Sequence, residues 1–128
     1  MLLTAGVACL ASACATSRLE QPSGERVFAT HCASCHGPMG EGNGPVAPAF
    51  NIAVPNLRTL NQRYDGDFPA NEVARYIDGR DLPDAHGERQ MPVWGYVFEA
   101  TETIVPGAED PATRIAALVE HLRSIQYP

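Results

Sequence analysis

The run Cys32-Ala33-Ser34-Cys35-His36 most restricts what this 128-residue chain can fold into. Two thiols three residues apart on a helix project from one side. His36 follows with no spacer. Such a set can fasten one edge of a flat macrocycle and turn an imidazole over its metal, and the spacing is that of c-type haem attachment. A thioredoxin-like dithiol would sit in a βαβ pattern, yet no convincing strand is visible in the sequence. A zinc site needs further ligands at matching spacing, and no second Cys pair follows Cys35.

Composition sharpens this reading. A chain of this length holds one domain. Hydrophobic residues make up 45% of it, enough for a packed core, but 11 Gly and 11 Pro punctuate it. A short domain of this kind needs a staple, and a haem would supply one. The formal charge is −6, and all nine basic residues are Arg. That balance excludes the basic face of a nucleic-acid binder and favours a partner with a basic patch.

The first charged side chain is Arg18. Leu2, Leu3, Val7 and Leu10 form a signal-peptide-like apolar run, and Ala11-Ser12-Ala13 is a small-residue cleavage site. The segment Leu10-Ala11-Ser12-Ala13-Cys14 resembles a bacterial lipobox, although Ala11 stands where Leu is usual. The division expected is therefore a signal peptide over 1–13, a lipidation site at Cys14 with a tether over 14–22, and one domain over 23–128. No Lys or Arg stands at the start, which points to a start codon further upstream. The expected location is periplasmic, with Cys14 lipid holding the domain at a membrane.

Ser23 caps a predicted helix with Glu25 in its first turn. Phe28, Cys32 and Cys35 share one face, and Gly37-Pro38 ends it. Residues 37–55 carry four Gly and four Pro and read as an irregular loop wrapped around something bulky. The run Gly40-Glu41-Gly42-Asn43-Gly44 lacks the ending of a phosphate loop. Asn71 is the predicted cap of a second helix, with Val73, Tyr76 and Ile77 as its apolar stripe and Gly79 as its stop. Asp110-Pro111 opens a third helix, with Ile115, Leu118, Val119, Leu122 and Ile125 facing inward. The fold class is all-α, with three or more helices and long Gly/Pro-rich loops.

Iron bound to His36 needs a sixth ligand or an open position. Met39, His86, Met91 and His121 are the candidates. Met39 lies too near His36 to reach the opposite face. Met91 precedes Pro92, which enforces an extended backbone and suits a ligand held out on a loop.

With these residues in view, the chain resembles a bacterial class I monohaem cytochrome c from about residue 23 to 127. Gly24 and Phe28 match the N-terminal helix positions that pack against the last helix in that family, and Leu118 and His121 match their partners. Many members carry Tyr or another aromatic where His121 stands. Met91-Pro92 resembles the distal ligand loop. Gly44-Pro45 resembles the Gly-Pro whose carbonyl accepts the proximal histidine's Nδ1 proton.

The resemblance implies one covalent haem c on Cys32 and Cys35. Its axial ligands would be His36 and Met91, with Pro45 behind His36. The implied role is single-electron transfer between periplasmic or membrane-bound redox proteins, not catalysis, with neither a small-molecule substrate nor nucleic acid. A haem sensor or enzyme with an open distal side, and a fixed haem subunit of a larger respiratory complex, are the alternatives. Arg58, Arg80 and Arg89 are candidate partners for the haem propionates. Trp94, Tyr96 and Phe98 alternate in an extra stretch after Met91 and are expected to cover the haem edge, with an exposed docking patch as the alternative.

Overall fold

The computed structural model describes residues 23–82 and 90–128. Residues 1–22, where a signal peptide, lipidated Cys14 and a tether are expected, and His86 and Arg89 lie outside the described residues. Five α-helices and three short 3-10 turns, with no strand, make up the described part. The all-α expectation holds.

Helix α1 spans Gly24–His31. Ser23 Oγ accepts from the Arg26 amide at 3.3 Å, and Glu25 faces the helix's positive end. Instead of running on to Gly37, the helix breaks at Cys32 (φ −114°), and α2 takes up Ala33–His36. The backbone hydrogen bonds continue across the break, from Cys32 N to Phe28 O at 2.8 Å and from His36 N to Cys32 O at 2.9 Å.

Helix α3 covers Ala70–Asp78 and starts after Pro69, not at Asn71. Proline is well suited there, because the first amides of a helix have no intrahelical partner to lose. Val73 and Ile77 are buried, whereas Tyr76 turns outward. Gly79 ends the helix in the left-handed conformation.

Helix α5, Pro111–Ser124, begins as predicted: Asp110 accepts from the Thr113 amide at 3.0 Å and Pro111 follows. Its Ile115, Leu118, Val119 and Leu122 are buried, and Ile125 packs against them from just past the helix end. α5 is the hub that α1, α3 and α4 pack against. At its crossing with α1, a Cβ on Gly24 would collide with the Ala117 carbonyl oxygen. Phe28 and His121 rings sit 5.1 Å apart in the same crossing, so the imidazole fills the aromatic position of that contact.

The stretch after Met91 is a helix, α4, Trp94–Ile104. Its helical turn separates the three aromatics. Trp94 and Phe98 stack on one side with centroids 5.8 Å apart, and Phe98 is fully buried. Tyr96 is 61% exposed. The expectation of one common aromatic cover is corrected: two of the three pack inward and one faces solvent.

Burial lowers the pKa of His121, with Glu25 opposing weakly, and burial followed by the Arg114 cation lowers that of His31. Both are neutral in the native state, while the unfolded chain protonates them near the ordinary value of ~6.5. Unfolded chain then binds more protons than native, so stability falls as pH drops below about 6.5 towards the lowered native values. The melting temperature should decline across that window. A flat profile above the carboxylate range would contradict this assignment.

Candidate haem site

The motif begins at Cys32, the junction of α1 and α2, and its other four residues form α2. Among the described residues, His36 is the buried polar side chain, at 8% exposure. Its Nδ1 lies 3.2 Å from the Pro55 carbonyl oxygen. A carbonyl can only accept, so the proton is on Nδ1 and Nε2 keeps its lone pair for a metal. Burial lowers the His36 pKa and outweighs the raising effect of the Pro55 bond, which keeps the ring neutral. A neutral imidazole with its tautomer fixed by a carbonyl is the form a metal needs.

The partner is Pro55, not Pro45, which corrects the expectation from the Gly44-Pro45 pair. The strand of loop around Pro45 serves another purpose. Gly44 N donates to Cys35 O at 3.1 Å and Val46 N to Ser34 O at 3.1 Å, so this segment satisfies the last carbonyls of α2. The loop then swings round, and Leu57 N donates to Gly40 O at 2.7 Å, which brings Pro55 alongside the imidazole. Gly42 makes the approach possible. Its φ is +80°, and a side chain there would strike the Val54 carbonyl beside Pro55.

Cys32 and Cys35 are not joined in a disulfide. Burial, then the neighbouring Cys35, pushes the Cys32 thiol up to about 12. Reactive thiols show the opposite, lowered pKa. Among the described residues no group of His, Cys, Asp and Glu could form a zinc cluster.

Of the proposed sixth ligands, Met39 is 54% exposed. His121 is committed to the α1–α5 crossing against Phe28. Met91 is half-buried and packs against the core. Arg58 and Arg80, considered as propionate partners, already have carboxylates: Arg58 reaches Glu41 at 3.4 Å, and Arg80 reaches Asp78 at 2.7 Å and Glu99 at 3.4 Å.

The residues fit a haem in a further respect. Leu57, Leu60, Phe68, Met91 and Trp94 all pack against the core yet remain only partly buried. An apolar disc laid over such side chains would remove that surface from water and complete the core.

The cytochrome c family model matches residues 22–126. None of the curated proteins and none of the solved structures matches. The family match spans the motif, the buried imidazole, Met91 and all five helices, and the chain therefore belongs to the cytochrome c family, as a haem-binding electron-transfer protein with covalently bound haem c.

Proposed function

We propose that this protein carries single electrons between periplasmic or membrane-bound redox proteins, with His36 and Met91 as the axial ligands and Cys32 and Cys35 as the thioether anchors. The observation that carries this reading is the buried, neutral His36 whose Nδ1 proton is held by Pro55. Bound haem supplies a ferric/ferrous couple, and Met/His ligation raises its potential. The chain's own residues supply rigidity. His36 is locked in one tautomer and orientation. Met91 packs against the core, and the following Pro92 restricts its backbone. Little then has to move when the charge changes.

A partner with basic residues around an apolar centre is favoured by α4. Its outward side exposes Tyr96 (61%), Val97 (38%) and Ile104 (76%). Residues 90–113 contain Glu99, Glu102, Glu109 and Asp110 and no basic side chain. Complementary charge of this kind speeds encounter and weakens with salt. Lipid on Cys14 would keep such encounters at a membrane surface.

Intact-mass analysis of membrane-expressed protein under denaturing conditions tests the reading. The expected species has lost residues 1–13, carries lipid on Cys14 and retains one haem. A chain that releases its haem on denaturation would overturn the thioether assignment. A chain that keeps its haem but carries no lipid would overturn the anchor alone.

A further inference from the structure

The loop that bears the Pro55 carbonyl is fastened from outside by residues just beyond α5. Gln126 divides its amide between two points of that loop. Its Nε2 donates to Leu57 O at 2.8 Å, and its Oε1 accepts from the Asn61 amide at 3.0 Å. The same Nε2 donates to Leu122 O at 2.7 Å, which ties the loop to the last turn of the most buried helix. Tyr127 adds two links, from its amide to Arg58 O at 2.8 Å and from Asn61 Nδ2 to its own carbonyl at 2.9 Å. Arg58 closes the clasp. Its Nε donates to Ile125 O at 3.0 Å, and its guanidinium lies 4.1 Å from the Tyr127 ring centroid.

This clasp bears on His36 because Pro55 stands two residues before Leu57. Leu57 is held on both sides, its amide by Gly40 and its carbonyl by Gln126. The His36–Pro55 bond is 3.2 Å, at the long end of the N–H···O range. A bond already that long weakens further if the carbonyl retreats by a few tenths of an ångström. The Gly40 bond holds this irregular loop from the haem-motif side, and the Gln126 clasp holds it from the α5 side.

We propose that Gln126 is a positioning residue for the proximal histidine. By pinning Leu57 and Asn61 to α5 it sets the Nδ1–H···O bond from His36 to Pro55, and so the strength with which Nε2 donates to iron. A carbonyl that pulls on the Nδ1 proton gives the ring imidazolate character and favours the ferric state. Loosening the clasp weakens that pull and raises the potential. The proposal rests on His36 being an axial ligand.

The test uses the holoprotein and three variants. In ferric wild type, a hyperfine-shifted, exchangeable His36 Nδ1–H resonance reports ligation by itself, and its absence would sink the ligand assignment. In Gln126→Ala that proton should exchange with solvent about tenfold faster. The ferrous-to-ferric ratio at fixed ambient potential should rise about threefold, or ~28 mV at 59 mV per tenfold for one electron. Gln126→Met keeps the side chain's length and neutrality but loses both the donor to Leu57 and the acceptor for Asn61, and should show the same changes in a chain less disturbed in packing. Asp110→Ala removes the α5 cap far from the clasp, and should lower stability while leaving both readouts at wild type. Wild-type exchange and potential in both Gln126 variants, or equal shifts in Asp110→Ala, would overturn the proposal.

Discussion

Met91→Ala should abolish the weak far-red band of sulfur-ligated ferric haem and lower the midpoint potential. Axial ligation spans about 0.8 V among haem proteins, and exchanging Met for water or a stray nitrogen ligand should take a fraction of that, on the order of 0.1–0.2 V. The fold should survive. Met91 lies outside every helix and is only partly buried, so the cavity term is small beside a core deletion. Optical spectra and redox titration of the variant check this. An unchanged far-red band would remove Met91 from the iron. Because Met39 is exposed and follows His36 by three residues, it could not readily take Met91's place.

Gly24→Ala is expected to destabilise the protein by about 3 kcal/mol, the upper end of ordinary overpacking. Two effects oppose each other. Alanine is the better helix former by ~1 kcal/mol, and less so at a helix's first residue. Against that, its Cβ would overlap the Ala117 carbonyl oxygen and lie 2.8 Å from His121 Cβ. The carbonyl belongs to the buried helix α5, so relief requires the two helices to part. That would loosen the contact between Phe28 and His121 as well. At ~4–8 °C per kcal/mol for a domain of this size, the melting temperature should fall by at least 12 °C. A thermal melt of the holoprotein decides it, and a melting temperature at or above wild type would show that the helices have room to spare.

These two residues also mark how far the sequence could be read. Signals confined to a few neighbouring residues were legible. Ser23 and Asp110-Pro111 cap their helices, Gly79 stops α3, and the stripe of α5 faces inward as its spacing requires. The Gly24–Ala117 approach was foreshadowed only through family resemblance, since 93 positions separate the two residues. Helix α4 is not legible in the sequence because Trp94, Tyr96, Val97, Phe98, Thr101, Thr103 and Ile104 are poor helix formers. Alternating aromatics also disguised the helical period. Burial of Phe98 against α5 outweighs that propensity.

The proximal carbonyl is not legible locally for a related reason. Gly44-Pro45 is a plausible local signal, but loop closure by Leu57 and Gly40 decides which proline reaches His36. Nothing in the sequence singles out Gln126. Its role exists only because the chain beyond α5 folds back over the loop. Arg58 looked available to a propionate because its partners, Glu41 and the Ile125 carbonyl, lie 17 and 67 positions away.

The most direct test of the central claim is a redox titration of the holoprotein followed by its visible and far-red spectrum. His36 and Met91 as axial ligands of one haem predict a single one-electron transition, low-spin in both states, in which the far-red sulfur band disappears as the iron is reduced. A high-spin ferric spectrum without that band, and with tight carbon monoxide binding on reduction, would contradict the account and leave an open distal position in its place.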